Sequence, residues 1–136
     1  MSREEGEVLE AVFQDFGALT QFLADATTKT GTTPNLIRAI ERLEICHLML
    51  LYASFEHLLR ARAEAAGSAS VLPLRPSLSN LIEKLAADAG LSSWGVEEAK
   101  FFRTDRNILM HGLTFIPVHS LSEVYGRMVG FLATVR

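Results

Sequence analysis

The stretch "ICHLMLLYASF", residues 45–55, decides the fold. It is apolar at nearly every position, yet far shorter than the roughly 20 residues a helix needs to cross a bilayer, and it contains His47. Followed in both directions, Leu36, Ile40, Leu43, His47, Leu51, Phe55 and Leu58 recur at three- and four-residue spacing, with Ile37, Leu48 and Leu59 widening the stripe. This is helical periodicity, and it predicts one long helix over about 34–66. Its crowded middle implies a helix covered on more than one side, either the central helix of a bundle or one packed against a second chain.

Four further helices are expected. Ser2 with Glu5 forms a capping box, and Val8, Val12, Phe16, Leu19 and Phe22/Leu23 continue as a stripe, giving a first helix over about 3–28. Gly31 breaks it, Thr33 can cap the next helix, and Pro34 suits a first helical position. Pro73 and Pro76 exclude regular helix from 67–77. Leu78, Leu81, Ile82, Leu85 and Ala89 mark a third helix ended by Gly90, and a fourth spans about 95–111. Gly112 and Pro117 mark its exit, and Ser120 with Glu123 opens a fifth over about 121–134. No segment alternates with period two. The expected class is all-α: one domain, residues 1–136, built as a bundle of about five helices.

The composition fits that picture. Of 136 residues, 49% are hydrophobic and 21% charged, which excludes a disordered chain. The net charge of −3 is concentrated at the start, where Glu4, Glu5, Glu7, Glu10, Asp15 and Asp25 face Arg3 alone. An acidic total argues against indiscriminate coating of nucleic acid but leaves room for a local basic site. The acidic opening differs from the basic start of a secretory signal, so a cytoplasmic, non-membrane protein is expected. Cys46, the single cysteine, has apolar neighbours and is expected to be buried.

The stretch "FFRTDRNILMHGLTF", residues 101–115, carries the polar chemistry. On a wheel of 100° per residue, Phe101, Phe102, Ile108, Leu109 and Leu113 cluster into a core face. Asp105 falls on that same face and is expected to pair with another helix. Arg103, Asn107 and Met110 lie opposite, with Arg106 and His111 flanking them. Asn107 and His111 stand one turn apart, near enough for the amide to orient the ring.

"RNILMHG", residues 106–112, resembles the motif of the HEPN superfamily (higher eukaryotes and prokaryotes nucleotide-binding): Arg, often a polar residue directly after it, then His four to six residues on. Arg106, Asn107 and His111 match it position by position, and "MLLYASFEHLLR" (49–60) is similar to the apolar helix with a Phe-Glu pair common in these proteins. The resemblance implies a HEPN-like fold and a metal-independent endoribonuclease that needs no cofactor. Its partners would be RNA, a second copy of the chain in a homodimer and, in a toxin–antitoxin or antiphage setting, an antitoxin. Arg106, Asn107 and His111 would be catalytic, and Arg103 and Lys100 would bind phosphate. Cleavage by the RNA's own 2′-OH needs a base, an acid and positive charge on the phosphorane, and His111 and Arg106 can supply these. One histidine does not serve as acid and base at once, so a two-fold dimer would bring the second copy. Two other readings stand beside it: a non-catalytic HEPN-fold module binding a nucleotide or protein, and a helical dimerisation or scaffold domain.

Other polar residues read as structural. Glu44 and His47 form a single Glu-x-x-His, whereas di-iron bundles need two, so His47 is expected in the core. His57 with Arg60 and Arg62 forms a helix-end cluster that is expected to be solvated, and His119 is an alternative acid. Trp94 is expected to pack at the mouth of the fourth helix. No phosphate loop, Ser-His-Asp set or zinc spacing is present.

Overall fold

The computed structural model describes residues 1–31, 33–67, 72–111 and 119–135. They form five helices: α1 (Arg3–Thr30), α2 (Pro34–Ala65), α3 (Leu78–Asp88), α4 (Ser92–His111) and α5 (Leu121–Thr134). The class is the expected all-α bundle. The caps work as the sequence indicates. Ser2 and Glu5 exchange hydrogen bonds, and the hydroxyls of Thr33 and Ser120 accept from Leu36 and Glu123; Ser77, not singled out in the sequence, likewise caps α3 by accepting from Asn80. Gly112 and Pro117, the expected exit of α4, lie outside the described residues.

α2 is the central helix. Leu48, Leu51, Tyr52, Phe55, Leu58 and Leu59 are buried against α1, α3, α4 and α5. Its opposite face is open: Met49 and Leu50 are exposed, and Cys46, expected to be buried, is exposed beside them. The apolar run is therefore covered over less of its circumference than its composition implies. α1 and α2 form an antiparallel hairpin, with Phe16 against His47 and Glu5 beside Arg62. Buried positions end at Val12 on α1 and begin at Leu48 on α2, so the turn end of the hairpin extends past the other helices. Leu19, Phe22 and Ile37 lie on this arm and are exposed, although they continue the apolar stripes. The fully buried member of the α1 stripe is Leu9, which the sequence reading did not single out.

Two joints set the position of α4. Gly90 at φ 76° ends α3, while Gly90 N–H donates to the Ala87 carbonyl and Leu91 N–H to that of Ala86. These two bonds form a Schellman motif, and α4 starts directly after Leu91, three residues earlier than expected. α3 and α4 then approach so closely that a Cβ on Gly95 would stand 2.4 Å from Ala86 Cβ. At the far end, Arg62 reaches both Glu5 oxygens at 2.7 Å and the Val135 carbonyl at 2.5 Å, tying α1, α2 and the end of α5 together.

Gly95→Ala is expected to lower stability by about 1–3 kcal/mol, because the opposing atom is a rigid Cβ that cannot rotate away. Thermal melting checks this, and an unchanged Tm would contradict the close approach. The Glu5–Arg62 pair gives a pH signature. The hydrogen bond from Arg62 outweighs burial and holds the Glu5 carboxyl down from its ordinary 4.5 to about 2. Its contribution is complete above pH 4.5 and is lost as pH falls toward about 2. Tm measured across that window should therefore fall more steeply for the wild type than for Glu5→Gln.

Candidate functional site

The inward face of α4 is made by Gly95, Glu98, Ala99, Phe102 and Asp105. It is turned by about 45° from the face the apolar residues define. Phe102 is fully buried, Phe101 and Leu109 are half-buried, and Ile108, expected in the core, is 40% exposed. Two causes act together. The small residues Gly95 and Ala99 draw their side of the helix inward, and two carboxylates on α4 find hydrogen-bond donors there.

The first carboxylate is Asp105, 5% exposed, which accepts a 2.5 Å hydrogen bond from the Tyr52 hydroxyl. Burial pushes its carboxyl above the usual range, and the Tyr52 bond opposes that shift. Burial, reinforced by the bond to Asp105, likewise holds the Tyr52 hydroxyl protonated well beyond its ordinary range. The second is Glu98, 7% exposed, which accepts 3.0 and 3.1 Å bonds from the Arg127 guanidinium. That guanidinium lies 3.7 Å over the centre of the Phe101 ring. The sequence reading placed Asp105 inward without naming its partner and missed the Glu98–Arg127 pair. One signal was available, since Glu98 stands seven residues before Asp105 and on the same side of the helix.

This rotation distributes the motif residues unequally. Arg103, Asn107 and His111 are exposed, as is Lys100. Arg106 is brought to the edge of the core, 39% exposed, with its guanidinium 3.7 Å from the Glu56 carboxylate. The same carboxylate accepts a 2.8 Å bond from Arg60. Glu56 belongs to the Phe-Glu pair of α2, so the structure joins the two stretches that carry the family resemblance. Arg106 and His111, five residues apart, stand about 140° apart around the helix and about 7.5 Å along it. The Asn107 amide and the His111 ring share no hydrogen bond among the described residues, so the expected orientation of the ring by Asn107 is not made here.

The remaining candidates fall into structural places. His47 is half-buried, its Nδ1 2.8 Å from the Leu43 carbonyl. Glu44 accepts from the backbone N–H of Leu121 at the start of α5. His57 is exposed, while Arg60 and Arg62 are engaged by Glu56 and Glu5, so these three do not form one basic cluster. Trp94 packs as expected, stacked on Phe131 at 5.3 Å. His119 lies against Phe101, with Nδ1 3.3 Å from a Glu123 oxygen. Among the described residues no group of three His, Cys, Asp or Glu could hold a metal ion, and no helix is long and apolar enough to cross a membrane.

No protein-family model, curated protein or solved structure matches the chain. The geometry of α4 therefore carries the functional argument.

Tyr52→Phe removes the partner of a buried carboxyl and is expected to destabilise the fold by about 1–3 kcal/mol. Denaturant unfolding checks this. In the Asp105→Asn background the same change should cost less, since the two groups act as one pair.

Proposed function

We propose that the protein is a HEPN-type, metal-independent endoribonuclease that cleaves RNA by attack of the 2′-OH at a site completed by two copies of the chain. One observation supports the reading above the others. The turn that buries Asp105 and Glu98 leaves His111, Asn107 and Arg103 in solvent and Arg106 half in solvent, so the motif residues remain accessible. His111 takes the proton of the 2′-hydroxyl or gives one to the departing 5′-oxygen. Arg106 presents two N–H groups to the phosphorane oxygens, and Arg103 and Lys100 bind flanking phosphates. Within one chain Arg106 and His111 face different directions, and one imidazole supplies half of an acid–base pair. A two-fold dimer through this face would bring two histidines together, and Met110, 48% exposed between them, supplies apolar contact. A toxin or antiphage effector with an antitoxin partner is the setting that the family resemblance suggests.

A second reading, a nucleotide- or protein-binding module without turnover, is favoured by the contact between Arg106 and Glu56. A guanidinium already facing a carboxylate has less charge to offer a transition state.

RNA incubated in EDTA separates the two. The enzyme reading expects cleavage leaving 2′,3′-cyclic phosphate ends, with His111→Ala slowing it at least about 100-fold and leaving Tm unchanged, since the ring is exposed. Binding that Arg106→Ala weakens, with no turnover at any RNA, would establish the module instead. Cleavage by a protein that sediments as a monomer at micromolar concentration would refute the two-copy site. Toxicity on expression that His111→Ala relieves is the simplest cellular version of the test.

A further inference from the structure

Beside α4 lies a cavity of about 340 Å³ that belongs to none of the motif residues. Glu97, Lys100, Thr104 and Ile108 line it from α4, His119 and Arg127 from the α5 side, and Asp105 reaches it from the core. Lys100, Thr104, Ile108 and His111 fall within an arc of about 80° on the helix, so the cavity and the His111 ring share one side of α4. Ile108 stands less than one turn before His111. Arg106 points away from both.

The polar groups of this cavity are unevenly used. Arg127 is neutralised by Glu98, and the His119 Nδ1 faces Glu123. Asp105 gives one oxygen to Tyr52, and its other oxygen has no hydrogen-bond partner among the described residues. A carboxyl oxygen on a side chain only 5% exposed, facing a cavity and without a protein donor, is placed to accept from a ligand that brings one. Lys100, exposed at the mouth, adds a cation that forms no ion pair among the described residues, with Glu97 the nearest carboxylate in sequence on the same wall. The volume lies at the low end for small-molecule sites, enough for one nucleoside unit and too small for a duplex.

We propose that this cavity receives the base of the nucleotide next to the phosphodiester held at His111, with the free Asp105 oxygen accepting a hydrogen bond from that base's exocyclic amino group and Lys100 contacting its phosphate. Single-stranded RNA is read in this way, through unstacked bases hydrogen-bonded on their edges, and a carboxylate is the natural acceptor for an amino group. Uracil and hypoxanthine place a carbonyl where cytosine and adenine carry the amino group, so oxygen would face oxygen at Asp105. The proposal rests on the ribonuclease reading for the identity of the neighbouring phosphodiester.

The test begins with mononucleotide binding to the full chain, which needs no turnover. Calorimetric titration should show CMP and AMP bound roughly tenfold more tightly than UMP and IMP, the scale of one hydrogen bond to a charged group. Asp105→Asn should erase or reverse that preference, since an amide can also donate. Because that residue is buried, Ile108→Trp at the rim is the second variant, expected to weaken all four nucleotides at unchanged Tm. Equal binding of the four, no saturable binding, or wild-type binding by both variants would overturn the proposal. Sequencing of RNA ends separates the two claims. His111-dependent cleavage with no amino-base preference beside the cut overturns the subsite and leaves the ribonuclease standing. Selective nucleotide binding by a protein that cuts no RNA upholds the cavity and overturns the ribonuclease.

Discussion

The structure depends on the burial of two carboxylates on one side of α4. A carboxyl group removed from water without a partner is costly enough to unfold a small domain, so Glu98 and Asp105 must each meet a donor. Arg127 of α5 and Tyr52 of α2 are those donors, which fixes α4 in rotation against two neighbours at once. Apolar packing alone would leave the helix freer to turn, because Phe101, Ile108 and Leu109 offer an alternative inward face. The paired carboxylates decide between the two faces and send Ile108 outward.

That choice has a chemical result. With Asp105 inward, its neighbour Arg106 falls at the rim of the core, within reach of Glu56, and Asn107 and His111 are turned to solvent. A rotation of the helix by half a turn would bury His111 and expose Asp105. The polar side chains of α4 thus divide into two sets: carboxylates that hold the helix from within, and an amide, an imidazole and guanidiniums that remain available outside or at its edge.

Much of this was legible in the sequence. Ser2, Thr33, Pro34 and Ser120 located three helix starts because capping is local chemistry, readable from a few neighbouring residues. The start of α4 was not legible, because the Schellman joint leaves only Ala89, Gly90 and Leu91 between two helices and Gly95, which resembles a boundary, serves instead as a point of close approach. Apolar periodicity showed which residues line a helix but not how far the partner helices extend. Phe22 and Ile37 continue their stripes onto an arm that the shorter helices do not reach, and Cys46 sits on the side of α2 that no described helix covers. Of the candidate site, the exposure of Arg103, Asn107 and His111 followed from the wheel. The contact of Arg106 with Glu56 did not, since those residues meet only through tertiary packing.

The three-residue joint between α3 and α4 also bears on how the chain reaches its fold. The joint between α1 and α2 is as short, but α3 is a short helix whose contacts with α4 all lie close in sequence, whereas the far end of the long α1–α2 hairpin closes only when Glu5 and Arg62 meet across nearly half the chain. Loop-closure entropy favours the short pairing, so the α3–α4 hairpin is the natural nucleus, with α2 and α5 condensing on it as Tyr52 and Arg127 arrive. The helix that presents the motif would then be among the earliest ordered parts of the chain, and the long arm among the last.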